Sequence, residues 1–283
     1  MWQQRAAHDV KTLCRVLRAS RSGYYAWCKR GPSRRQQADE KLLPEIRRVH
    51  QTHRGHSGAL KTWRVLNLQG VACGKHQVAR LRRQHDILAR RRRRFIVTTQ
   101  SRLTTWQAPN LLQRCFVTDR PDRVWVGDVT HVETREGWLY LAILLDLYSK
   151  QVVGWSMRQR NDTQLLLEAL NMAVLRRRPA PGLIHHSDRG RTYAGQAYRA
   201  RLSVLRITPS MSRKGDCRDN AVAESFFATL ELELIEQRVF PTRLAGKTAI
   251  FEFIEVFYNR QRAHQSLNYR TPLQVELQYR AGS

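Results

Sequence analysis

The sequence predicts an α/β protein: a mixed β-sheet with crossover helices, preceded by a basic, all-helical region. Three observations lead there. From residue 122 onward, short β-rich runs and helical stripes follow one another in the order βββαβαβα. Residues 1–100 carry only short helical stripes separated by turn residues. The charge is split unevenly, with 24 Lys+Arg against 5 acids in residues 1–100 and 26 against 18 in residues 101–283.

The helical region comes first. "DVKTLCRVLRASRSGYYAW" places Val10, Leu13, Val16 and Leu17 on one face and predicts a break at Ser22-Gly23. Residues 39–53 and 58–69 give two more short helices. After Gly70, "GKHQVARLRRQHDIL" gives another, with Val78, Leu81 and Leu88 expected inward. Short helices with basic outer faces suit helix-turn-helix modules, although plain three-helix packing would read the same way. The following stretch, "ARRRRRFIVTTQSRLTTWQAPNLLQR", loses all periodicity, so residues 101–118 are expected to be a linker. The run Arg90–Arg94 reads as an arm that tracks phosphates rather than a merely solvated linker, because it adjoins so basic a region.

The β pattern starts with "RVWVGDVTHVET" and "GWLYLAILLDLYSK", separated by Glu136-Gly137 as a hairpin. "QVVGWSM" supplies a third strand, and "NDTQLLLEALNMAVLRRR", opened by polar capping residues, a helix. "GLIHHSD" and "ITPSM" are brief strands on either side of the helix "TYAGQAYRARLSVL". A further helix begins at "DNAVAESFFATLEL". The expected division is 1–100, 101–118, 119–238 and 239–283, the last a C-terminal helix and tail with a turn at Thr271-Pro272.

Composition excludes several classes. No run of about 18 apolar residues is present, which argues against a transmembrane helix, and charges interrupt any secretory h-region near the start. The five cysteines stand singly, with no CxxC pair, which favours neither a disulfide framework nor structural zinc. A cytoplasmic protein is the expectation. A net charge of +27, carried mostly by arginine, favours phosphate-rich polyanions, and nucleic acid above a membrane surface.

Three acids stand out. Asp128, in "VWVGDVTHV", shares its strand face with Val124, Val126 and Val132, where an uncompensated carboxylate is costly. Asp188, in "HHSDRG", ends a strand just before Gly190, and strand ends are where open α/β sheets build sites. Glu224 borders the apolar stripe of Ala223, Phe227, Leu230 and Leu234. Singly, each has an ordinary explanation: an arginine partner, a turn cap, a solvated flank. Together they suit a hard-cation cage for Mg²⁺ or Mn²⁺, the arrangement that metal-assisted phosphoryl transfer needs. His131, His185 and His186 read as packing beside the strand ends, and His50, His53 and His56 as loop residues. Ser187 lacks a nucleophile elbow.

At this point "WVGDVTHV", "HHSDRG", "SRKGDCRDNAVAESFFATL" and "YNRQRAHQSLNYRTP", with "SRSGYYAW" near the start, become recognisable. The sequence resembles the DDE transposases of bacterial insertion sequences, relatives of retroviral integrases, along nearly its whole length. Thirty-five residues lie between Asp188 and Glu224, the spacing that family uses. The resemblance implies a ribonuclease H-like mixed-sheet catalytic core behind a helix-turn-helix-like basic domain. It implies Asp128, Asp188 and Glu224 as catalytic, metal-binding acids holding Mg²⁺ or Mn²⁺, two ions in all, and leaves Asp146 outside the set. Double-stranded DNA, at element ends and target, is the implied partner, contacted by Arg91, Arg92, Arg93 and Arg94 and, before the catalytic helix, by Arg213, Lys214 and Asn220. A homo-oligomer on DNA, a nucleoid location and an upstream-frame helix-turn-helix partner are also implied. The sequence departs from the family at Glu231, where Lys or Arg is usual, in "RGRTY", and at Asp216 and Arg218. A non-catalytic DNA-binding regulator or decayed remnant, and a nuclease that cuts without joining, are the alternatives.

Overall fold

The computed structural model describes residues 6–90, 106–213 and 217–282. Its sheet has five strands: β1 (Val124–Val132), β2 (Leu139–Asp146), β3 (Val152–Arg158), β4 (Ile184–Ser187) and β5 (Thr208–Met211), in the order β3-β2-β1-β4-β5. β1, β2 and β3 form an antiparallel meander, turning at Glu136-Gly137 between the first two. β4 and β5 run parallel to β1 and to each other, which demands crossovers. α6 (Thr163–Arg177) and α7 (Gln196–Val204) supply them.

Both faces of the sheet are covered, which explains why β2, "LYLAILLD", is apolar without alternation. On one face Val124 and Val126 of β1 and Leu141, Ile143 and Leu145 of β2 pack against Ala223, Phe226 and Leu230 of α8 (Ala221–Glu233). On the other, Trp125, Ala142, Leu144 and Val153 meet Leu165, Ala169 and Leu170 of α6 and Tyr198 and Leu202 of α7. α6 lies so close to β3 that a Cβ on Gly154 would stand 2.7 Å from Ala173 Cβ.

Ahead of the sheet lie α1 (Val10–Val16), α2 (Arg21–Lys29), α3 (Arg34–Thr52), α4 (Ala59–Leu68) and α5 (Lys75–Gln84). α3 starts with a reciprocal capping box between Ser33 and Gln36 and runs through Pro44. Burial of Leu42 and Ile46 on either side outweighs the hydrogen bond that the proline removes. α3, α4 and α5 close over Leu42, Ile46, Val49, Val65, Leu66, Val78 and Leu81, and Ala263 from the C-terminal segment joins that core. His53 Nε2 accepts from the Ala263 amide at 3.3 Å, tying α3 to that segment.

After α8, α9 (Arg243–Glu252) continues as a π turn over Phe253–Tyr258, and α10 (Pro272–Gly282) closes the described chain. Phe253, Ile254, Phe257 and Tyr258 are all buried in the α8 layer.

Several sequence expectations are corrected. Gly23 does not break a helix: it lies in the first turn of α2, where its amide donates to the N-cap Ser20 Oγ at 3.3 Å. The break falls earlier, after Val16. Leu88 is exposed rather than inward, and Val16 and Leu17, from the apolar face of the first helix, are exposed as well. On α8 the inward aromatic is Phe226, at 1% exposure, while Phe227 is half-buried. Thr271-Pro272, expected as an ordered turn, is the capped start of a helix. Thr271 Oγ1 accepts from Gln274 N, Thr271 N donates to Gln274 Oε1, and Pro272 takes the first helical position.

Candidate active site

Asp128 and Asp188 are brought together by strand register. β1 and β4 pair in parallel as far as Val126 and His186, so both acids stand two residues further along neighbouring strands. Asp128 sits opposite Ile143 on the face covered by α8. Glu224 projects from the first turn of α8, beside the buried Ala223. All three carboxyls are half-buried.

Their partners are few. Asp128 Oδ1 accepts from the Val129 amide at 2.8 Å, and Asp188 Oδ1 from the Gly190 amide at 2.9 Å. Among the described residues no Lys or Arg pairs with Asp128, Asp188 or Glu224, despite the cationic excess of the chain. Other enclosed acids are satisfied. Glu233 grips Arg262 at 2.9 Å, and Asp146 accepts from the amides of Asp122, Tyr148 and Ser149 and from Ser149 Oγ. That explains why Asp146 stays outside the site.

The electrostatic outcome follows. Burial, and then the negative charges of Asp188 and Glu224, push the Asp128 carboxyl up to about 8. Burial also raises Asp188 and Glu224 above the ordinary carboxylate range. Such a group of acids gains from a cation. The donor set consists of hard oxygens, which suits Mg²⁺ or Mn²⁺ better than a soft metal. Among the described residues no three His, Cys, Asp or Glu gather tightly enough to hold an ion by themselves. Mg²⁺ does not require this, because it takes one or two carboxylates and completes its shell with water and phosphate.

The histidines are engaged elsewhere. His185 Nε2 lies 3.2 Å from Tyr198 Oη on the α7 side of the sheet. His186 meets Ser210 Oγ at 2.9 Å and the Asp219 carbonyl at 3.0 Å. Burial holds both imidazoles neutral, His185 down to about 3. His131 is exposed and stacks edge-on with Trp138. His53 is likewise committed, its Nδ1 being 3.0 Å from the Val49 carbonyl.

Two features near the acids escape sequence reasoning. At Gly127 a Cβ would stand 2.7 Å from His185 Nε2 and 3.3 Å from Tyr193 Oη, so the buried phenol of Tyr193 packs directly behind Asp128. Asp219, in the turn before α8, binds Arg213, Arg114 and Asn110. An acid at a helix entrance is the only sequence signal for it. Of the sequence-predicted DNA contacts, Arg213 is thus held by Asp219, and Asn220 is buried with its Oδ1 unpartnered. Arg91, Arg92, Arg93, Arg94 and Lys214 lie outside the described residues. Glu231, half-buried on α8, is raised by burial and by Glu236.

Residues 118–217 and again 205–272 match families described as Integrase core domain, and residues 37–95 match the HTH-like domain. The chain is therefore a DDE-type polynucleotidyl transferase with a helix-turn-helix-like unit ahead of its catalytic fold. It is similar to "Insertion element IS600 uncharacterized 31 kDa protein" of Shigella sonnei, at 41% identity over 94% of this chain and 98% of the relative. It is also similar to "Transposase InsF for insertion sequence IS3A" of Escherichia coli (strain K12), at 38% identity over 97% of this chain and 96% of the relative. The HTLV-2 integrase catalytic core domain in complex with magnesium (trimeric form) aligns at a TM-score of 0.41 and 18% identity, covering 55% of this chain and 97% of that one. The chain belongs to the insertion-sequence transposases of this IS3 and IS600 group. No helix among the described residues is long and apolar enough to cross a membrane.

Proposed function

We propose that this transposase cleaves and joins DNA strands at the ends of its element, with Asp128, Asp188 and Glu224 as the acids that hold two divalent cations, Mg²⁺ or Mn²⁺. The supporting observation is that the Asp128 carboxyl feels the negative charges of both Asp188 and Glu224, while none of these three half-buried acids has a cationic partner among the described residues. When bound, such cations polarise the phosphoryl group and lower the cost of deprotonating the attacking hydroxyl or water. The chain's own part is placement. Asp128 comes from β1, Asp188 from the residue just after β4, and Glu224 from the helix packed over the sheet. Tyr193, His185 and Tyr198 fill the space behind β1 and keep water from that side.

DNA is the partner this reading requires. The helical unit of residues 1–100 and the Arg91–Arg94 run grip phosphates, with Arg213, Lys214 and Asn220 near the scissile one. The divisions at 1–100, 101–118, 119–238 and 239–283 belong to the same reading, as do a homo-oligomer on DNA, an upstream-frame partner and a nucleoid location.

The test is nicking and joining of a labelled element-end duplex, with upstream-frame protein added where required. Wild type should act only with Mg²⁺ or Mn²⁺ present. Asp188→Asn should lose both reactions while binding the duplex as before. Joining by Asp188→Asn at the wild-type rate would end the three-acid reading.

A further inference from the structure

Asp219 is 1% exposed and lies in the short 3₁₀ turn Cys217–Asn220 from which α8 starts. Its carboxylate collects donors from the distant segment before β1 and from Arg213, six residues earlier. Oδ2 accepts from Asn110 Nδ2 at 2.8 Å, from the Arg213 amide at 2.9 Å and from Arg213 Nε at 3.1 Å. Oδ1 accepts from Arg213 Nη2 at 3.2 Å and faces Arg114 Nε at 3.5 Å. Its backbone carbonyl accepts from His186 Nε2 at 3.0 Å, and His186 is the β4 residue paired with Val126 of β1. One residue therefore ties the segment before β1, the exit from β5 and the strand leading to Asp188 to the start of α8.

Apolar packing of Ala223 and Phe226 seats this end of α8 on the sheet, but among the described residues it lacks a side-chain cap. Asn220, at the N-cap position, makes no side-chain capping bond, although such a bond normally secures a first turn. Glu224 lies within that turn. We propose that Asp219 is a positioning residue for the reaction: by anchoring the entrance of α8 to β4 and its neighbours, it sets the Glu224 carboxylate against Asp128 and Asp188. The charge matters as well as the shape. A carboxylate offers acceptors to every one of these donors, whereas an amide replaces one acceptor with a donor facing arginine.

This inference rests on the three-acid reading, and the test separates the two. In Asp219→Asn, amide exchange in the first turn of α8 should quicken by about tenfold or more, while β1 and β4 keep their protection. Mn²⁺ titrated onto the full-length protein should bind more weakly. Cleavage should slow by up to about 100-fold, the scale of a misplacement near 1 Å, with the duplex Kd unchanged. Asp146→Asn is the control: it disturbs an equally buried aspartate and should lower Tm without loosening α8 or weakening Mn²⁺ binding. Should Asp219→Asn fail to fold, Asn110→Ala removes one donor and leaves the charge, and it should move exchange and Mn²⁺ affinity the same way by a smaller factor. Wild-type exchange in α8 together with wild-type Mn²⁺ affinity, in whichever of these variants folds, would overturn the positioning role. If Asp188→Asn instead bound Mn²⁺ as tightly as wild type, the three-acid reading itself would fall.

Discussion

Asp128, in β1, and Asp188, the residue just past the end of β4, each lie two residues beyond the paired Val126 and His186 of those parallel strands. This register makes the two acids a unit, with Glu224 delivered from above by α8. Asp128→Asn, Asp188→Asn and Glu224→Gln should each remove strand cleavage, and the Asp128→Asn/Asp188→Asn double variant should be scarcely worse than either single one. Groups that act together are strongly non-additive. Glu231→Gln, seven residues further along α8, should retain cleavage. Independent, multiplying losses in single-turnover assays would contradict a shared site.

The raised Asp128 carboxyl gives a pH signature in ion-free protein. Its ordinary value is 3.8 and its folded value about 8, so between those limits the folded chain keeps a proton that the unfolded chain has released. The stability this contributes is complete at low pH and is lost as pH rises toward the folded value. Lys61, lowered by burial to about 7, acts oppositely above that pH, so the comparison must be with Asp128→Asn. In EDTA, wild-type Tm should fall relative to Asp128→Asn from about pH 6.5 to 8, and Mg²⁺ should offset the fall in wild type alone. Parallel Tm curves would refute it.

Gly127→Ala should be costly. The added methyl would meet His185 Nε2 at 2.7 Å and Tyr193 Oη at 3.3 Å, and overpacking of this kind costs about 1–3 kcal/mol. Because Asp128 is the next residue, cleavage should fall as well. Urea unfolding midpoints and cleavage rates check both effects, and an unchanged midpoint would mean that the neighbours yield freely.

Neighbouring arginines on α5 should behave in opposite ways. Arg82 is 5% exposed and donates to Thr62 Oγ1 and to the Ser57 carbonyl, so Arg82→Ala should destabilise by about 1–3 kcal/mol. Arg83 is exposed on α5, the third helix of the helix-turn-helix-like unit. Arg83→Ala should spare stability and reduce the salt dependence of duplex binding by about 0.9 in log–log slope. Equal effects on stability would remove the distinction.

Replacing Arg91, Arg92, Arg93 and Arg94 together with Ala should flatten that slope by several units, about 0.9 for each phosphate no longer neutralised. Binding titrations at several salt concentrations decide the matter. An unaltered slope would make the run a solvated linker.

Much of this was legible because the strands and acids follow local rules. The order of strands and helices from Val124 to Glu233 came from periodicity, and the valines around Asp128 marked its face. The parts that stayed hidden depend on distant contacts. Phe226 rather than Phe227 turns inward because the strands below fix the rotation of α8, which a stripe of similar apolar residues leaves open. Leu88 is exposed because α5 ends at Gln84. Nothing in the sequence sets Arg82 apart from its neighbour Arg83; only the fold brings Thr62 and Ser57 to it. The Asp219 contacts with Asn110, Arg114 and His186 join segments far apart in sequence, and no local pattern records them.

The parallel pairing of β1 with β4 also has a kinetic consequence. The two strands meet only after the intervening meander and α6 have found their places, and closing so long a stretch of chain is slow. Until that pairing forms, Asp128 and Asp188 lie on separate stretches of chain.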